Sequence, residues 1–140
     1  MMYWNKTVTL YNRCEDEQGQ VCWYRHKLDN CFYKATYGKA NSGGVQSDTT
    51  NYIIRIPQQN NFLSPYDWLK LSDSLKGNYI TLQGGDLIFL GSVDEDIDEY
   101  TQGRRSSDLI AKYHALGSVL VKSVNINVDL PGAHYLVKGE

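Results

Sequence analysis

Two apolar, β-rich runs meet at a polar turn in Tyr79-Ile80-Thr81-Leu82-Gln83-Gly84-Gly85-Asp86-Leu87-Ile88-Phe89-Leu90-Gly91, and no other stretch constrains the fold as much. Glycine supplies the positive-φ geometry of primed turns, so short β-forming runs on either side of Gly84-Gly85 predict a β-hairpin. Asp86 is its one reactive side chain, which makes the segment architectural first.

The rest of the chain repeats the theme. Thr7 to Tyr11 alternates and is rich in β-formers, the polar turn Glu15 to Gln20 follows, and Val21 to His26 completes a first hairpin. Asn30 to Tyr37 extends it or adds a strand. Gly38 to Thr50 is small, polar and nearly free of hydrophobes, and reads as a long loop. Loops of that length inside a compact domain are uncommon, and two readings stay open for it, a functional loop or a flexible hairpin tip. Asn51 to Ile56 is another strand, stopped by Pro57, which cannot donate to a ladder. Ser64-Pro65 opens a helix of a turn or two in which Trp68 packs. The best helix runs from Ser107 to Leu116, with serine at its start, Leu109, Lys112, Tyr113 and Leu116 on one side, and Gly117 in the place of a left-handed cap. Val119 to Val128 and His134 to Lys138 are the closing strands, joined by a turn at Leu130 to Ala133. About seven short strands and one clear helix predict a mainly β fold: a small antiparallel barrel or sandwich, one domain over 1–140, with a short helix inserted before the C-terminal strand pair.

Composition excludes several functions. At 140 residues the chain can bury roughly two thirds of its unfolded surface. A formal charge of −2 offers no general attraction to phosphate backbones or anionic membranes. Eleven tyrosines against three phenylalanines suit half-buried strands and contact surfaces, wet at one end and apolar at the other. No run approaches the roughly 20 apolar residues of a membrane span, and Met1 to Lys6 lacks a signal-peptide core, so a cytoplasmic chain is expected.

No motif supplies a reaction. Cys14, Cys22 and Cys31 fit neither a metal knuckle nor a disulfide framework, and free thiols are expected. The sharper alternative is a zinc site using these three with His26, since the even spacing of Cys22 and His26 puts both on one strand face. Asp94, Asp96 and Asp98 have the alternate spacing of a calcium loop, but Glu99 stands where its glycine belongs and Arg105 where its bidentate glutamate belongs. A solvated acidic loop or an improvised cation site remains. His26, His114 and His134 are scattered, Arg104-Arg105 is too small for nucleic-acid specificity, and no nucleophile elbow or phosphate loop occurs. A binding or assembly protein without cofactor or metal is expected ahead of an enzyme.

The opening Val8-Thr9-Leu10-Tyr11-Asn12-Arg13, the strand Trp23-Tyr24-Arg25, Ile54-Arg55-Ile56-Pro57, Thr81 to Ile88 with Gly91, and the closing His134-Tyr135-Leu136-Val137-Lys138-Gly139 resemble the small neck proteins of tailed phages and prophages of Gram-positive bacteria. The resemblance spans nearly the whole chain and rests on strand and turn residues. It implies a head-closure (stopper) or minor capsid protein, a β-barrel that forms a ring below the portal and connector and receives the tail. It further implies a virion protein assembled in the host cytoplasm, its partners being its own copies in a hexameric ring, the connector, adaptor or portal, and tail proteins, with double-stranded DNA passing without sequence-specific contact. The loop that narrows the hole in such proteins would here include Lys39, Asn41, Ser42, Gly43, Gly44, Val45 and Gln46. Asp94, Glu95, Asp96, Asp98 and Glu99 would form an acidic loop at the channel or an interface. The rival readings are a tail terminator or tail-tube protein, and a small metal-assisted enzyme using Cys22, His26 or the acidic loop.

Overall fold

The computed structural model describes residues 4–42, 45–127 and 133–140, with backbone alone for 38–42 and 45–49. Six strands, β1 (Lys6–Glu15), β2 (Val21–Ser42), β3 (Val45–Pro57), β4 (Leu87–Phe89), β5 (Ser118–Asn127) and β6 (His134–Gly139), form a closed antiparallel barrel in the order β1-β2-β3-β6-β5-β4. The mainly β barrel expected from strand patterning is therefore the fold.

Alternation explains the interior. Val8 and Leu10 of β1, Ile54 and Ile56 of β3, Ile88 of β4, Val119 and Val121 of β5, and Tyr135 and Val137 of β6 point inward and are buried together. β2 is long enough to serve both halves of the barrel, and it turns between them at a bulge. Lys6 pairs with Cys31 but Val8 with Leu28, so β2 carries one extra residue there. Asn30 sits at that bulge with φ 59°, a conformation asparagine tolerates better than most residues.

A second apolar cluster lies outside the barrel. Tyr11, Leu87 and Phe89 point away from the interior and meet Val93, Ile97 and Leu109, with Trp23 and Tyr113 against them. The crossover from β4 to β5 supplies the cover, including α3 (Ser106–Lys112). β1 is thus buried on both faces, which is why Val8 to Asn12 reads as an unbroken buried run.

The connection from β3 to β4 closes one end of the barrel. Ser64 caps α1 (Pro65–Leu69) by accepting from the Asp67 N–H at 3.3 Å, and a second turn, α2 (Asp73–Lys76), follows. Trp68 is fully buried, edge-on to Tyr24 at 5.6 Å between centroids, and its indole N–H donates to the Tyr79 carbonyl at 3.1 Å. Phe62 stacks on Tyr135 at 4.3 Å.

Three expectations need correction. The hairpin across Gly84-Gly85 does not form: Leu87–Phe89 pairs with β1 and β5, while Ile80, Thr81 and Leu82 run inward as part of the plug. The turn itself is real, with the Asp86 N–H donating to the Gln83 carbonyl at 3.2 Å, but burial of Ile80 and Leu82 in the barrel end outweighs ladder pairing. Of the expected loop Gly38 to Thr50, residues 38–42 and 45–50 are strand instead, because β2 and β3 stay paired from Thr36↔Asn51 out to Ser42↔Val45; Gly43 and Gly44 lie outside the described residues. A ladder already registered by the core can continue through polar residues without an apolar signal. The helix expected over 107–116 begins at Ser106 and ends at Lys112. Asp108 rather than serine caps it, its Oδ2 accepting from the N–H groups of Gly103 and Arg105 at 2.9 and 3.2 Å.

Candidate functional site

The feature that stands away from the barrel is the β2–β3 arm. The last pairing of β3 with β6 is Tyr52↔Gly139, and beyond it the seven pairs from Thr36↔Asn51 to Ser42↔Val45 have no neighbouring strand among the described residues. Seven pairs at about 3.4 Å per step make a ribbon roughly 20 Å long. Tyr37, at its base, is 79 % exposed. Of the residues expected to gate a channel, Lys39, Asn41, Ser42, Val45 and Gln46 lie on this ribbon, in the register Lys39↔Asp48, Asn41↔Gln46 and Ser42↔Val45. Gly43 and Gly44 lie outside the described residues.

The acidic stretch lies elsewhere, on the crossover, and its side chains are engaged within the chain. Glu95 accepts from Lys112 Nζ at 2.9 Å and from the Tyr113 hydroxyl at 2.6 Å, and these bonds hold its carboxyl below the usual range. Asp96 accepts from Arg25 Nε at 3.0 Å. Glu99 Oε1 accepts from the Trp23 indole N–H at 3.1 Å and from the Ser106 N–H at 2.9 Å. Asp98 is pulled below its ordinary value by the Thr101 hydroxyl, at 2.7 Å, and by the Tyr100 N–H. Asp94 is 93 % exposed at its side chain, with Arg25 Nη1 at 3.9 Å. The loop is therefore a clamp that fastens the crossover to β2 and α3. The tyrosine beneath it is part of the same fastening, since the Tyr11 hydroxyl donates to the Glu95 carbonyl. Trp23 and Arg25 stand at alternate positions of β2, which puts both donors on one face of the strand.

The densest buried polar cluster sits where the plug meets β1. Asp86 is fully buried and accepts three hydrogen bonds, from the Arg13 N–H at 2.9 Å, the Gln83 N–H at 3.0 Å and Asn12 Nδ2 at 2.9 Å. Burial raises its carboxyl to about 6 in spite of those donors. Asn12, also fully buried, donates to the Thr81 carbonyl at 2.6 Å and accepts from the Thr81 N–H at 3.4 Å. A side-chain amide thus replaces the strand partner that Thr81 lacks.

Cys14, Cys22 and Cys31 are free thiols, and burial pushes the Cys31 thiol up to about 12. Cys14 and Cys22 face each other across β1 and β2, and His26 pairs with Leu10 further along. Desolvation lowers the His26 pKa, and its Nε2 is buried without a hydrogen-bond partner. Among the described residues no three His, Cys, Asp or Glu side chains are placed to hold a metal ion. No helix among them is long and apolar enough to cross a membrane.

No curated protein and no solved structure matches the chain. Residues 2–140 match a family of unknown function, DUF6751, and the chain belongs to that family.

Proposed function

We propose that this chain is a structural protein of the phage neck, forming a ring at the head-to-tail connection that closes the head and lets DNA pass. The observation that carries the reading is the β2–β3 arm. A two-stranded ribbon is marginal in water by itself, and this one, polar in sequence, extends past the last strand that flanks it. Such an element makes sense in a protein that works by assembling with neighbours, where the arm reaches a surface that the barrel does not supply. The barrel interior is filled by packed side chains, so a hole for DNA must lie on a ring axis between copies. In this reading the arm reaches toward that axis.

Replacing Ala40 to Asp48 with a short Gly-Ser bridge tests it. The barrel should remain folded, because the removed ladder pairs, Ala40↔Ser47 to Ser42↔Val45, lie beyond the last strand that flanks the ribbon, and a two-stranded ribbon adds little stability of its own. Phage carrying the change should package DNA and then lose it before tails attach. Normal titres of full, tailed particles would refute the gating role, and unfolding would make the arm part of the scaffold.

A further inference from the structure

One outer face of the barrel collects lysines that form no ion pair among the described residues. Because Ile54, Val137 and Val124 pack toward the interior, the alternate positions point outward. The register sets Lys34, Ile53, Lys138 and Ser123 in one row across β2, β3, β6 and β5, and Phe32, Arg55, Leu136 and Asn125 in the next. Lys122, beside the β5 bulge, joins Lys138 in lining a cleft of about 310 Å³. Among the described residues Lys34, Lys122 and Lys138 make no ion pair. Arg55 Nε is buried without an acceptor, while its Nη1 lies 3.3 Å from His134 Nε2. Across residues 32–36, 51–57, 118–127 and 134–140 the only acidic side chain is that of Glu140.

The other end of β2 has the opposite sign. The β1–β2 turn presents Glu15, Asp16 and Glu17, and Asp16, Glu17 and Asp73 line a cleft of about 280 Å³. Three cations stand near, and all are engaged: Arg13 lies 3.4 Å from Glu15, Lys76 lies 3.5 Å from Asp73, and Lys70 sits 3.9 Å over the Tyr66 ring. From Val21, where the acidic turn ends, to Lys34 is thirteen residues of strand, a path of about 43 Å. No ion pair joins the two poles among the described residues, but a second copy can bring them together.

We propose that the basic outer face of β2, β3, β6 and β5 docks on the acidic β1–β2 turn of a second copy of this chain. The contact is head-to-tail, which yields a closed ring when the rotation between copies closes. It deepens the neck reading and rests on it only for that closure. Charges at an exposed face steer and orient more than they bind, so the association is weak and salt-dependent.

Sedimentation velocity on the full chain at about 100 µM, near the dissociation constant of a transient contact, tests the proposal at about 20 mM and about 500 mM salt. Oligomers should form at low salt and dissolve at high salt. K122E/K138E and E15K/E17K change exposed side chains, so unaltered urea midpoints should accompany a loss of association of about tenfold or more in each. An equimolar mixture of the two variants should recover dimers and stop there, because one intact basic face then meets one intact acidic turn. A native protein monomeric at low salt, a swap without effect, or an inert mixture would overturn the proposal. So would a K122E/K138E chain that keeps self-associating but loses binding to a short DNA duplex, which would assign the face to nucleic acid. Head-to-tail association in a chain that never enters virions would leave this contact standing and remove the neck role.

Discussion

Replacing Asn12 with leucine should release the 80–82 segment from β1 with little change in side-chain volume. The wild-type amide makes three hydrogen bonds, to the Thr81 carbonyl at 2.6 Å, from the Thr81 N–H at 3.4 Å and to Asp86 Oδ2 at 2.9 Å. Thr81 and Asp86 are fully buried, so water cannot take over. Each buried group left unpaired costs about 1–3 kcal/mol. Asp86 keeps two other donors, and the 3.4 Å bond is the weakest of the three, so the expected loss is about 3–5 kcal/mol. That is a large part of the 5–15 kcal/mol typical of a domain. Urea unfolding followed by tryptophan fluorescence reads it directly, since Trp68 lies in the plug. With a slope of about 2 kcal/mol/M, the midpoint should fall by about 2 M. The same substitution at exposed Asn60 is the control and should stay within about 0.5 kcal/mol. A loss below about 1 kcal/mol for Asn12→Leu would show that the plug is held by its apolar contacts alone.

The Asp86 carboxyl, raised to about 6 in the folded protein from an ordinary 3.8, makes the native state bind a proton more tightly than the unfolded chain. Its contribution is fully present below pH 3.8 and is lost as pH rises through 6; Asp86→Asn should flatten the urea midpoint across that window, and an unchanged pH slope would contradict the assignment. Gly139→Ala would place a Cβ 2.3 Å from the Leu120 carbonyl oxygen and 2.6 Å from Val119 Cγ1, so β5 and β6 must separate locally, and thermal unfolding should report a loss of about 1–3 kcal/mol. Tyr113→Phe removes one of the two donors on Glu95; it should loosen the crossover, read as faster amide exchange over 94–112, while β2–β3 amides keep their protection.

The barrel strands were legible because their alternation and β-rich composition agree with the ladders they form. Pro57 stops β3, and Ser64-Pro65 starts α1, for the reasons written in those residue types. The Tyr79 to Gly91 hairpin was misread because Ile80, Thr81 and Leu82 have strand chemistry but are taken by the barrel end. Only the distant amide of Asn12 reveals that, and local sequence carries no mark of it. The arm was misread for the opposite reason: a ladder extended from a registered core needs no hydrophobes of its own. The acidic stretch was visible as a charge run, while its partners Arg25, Trp23, Lys112 and Tyr113 come together only when the crossover folds back over β1. The cations of the outer face passed unnoticed because Lys34, Lys122 and Lys138 are single charges on three separate strands.

The barrel's strand order also governs the time course of its formation. β1, β2 and β3 are joined by local hairpins and can pair early, yet β1 waits for Phe89 to meet Thr9, and β3 waits for β6. Contacts that distant in sequence close slowly, because the chain must be ordered before they reward it. A chain with only β1, β2 and β3 paired would present two unpaired edges, the state in which β-proteins are most prone to join the wrong neighbour. β6 is inserted between β3 and β5 and removes the last of those edges. Losing it should therefore convert a folding chain into an aggregating one, even where the remaining strands keep most of their apolar contacts.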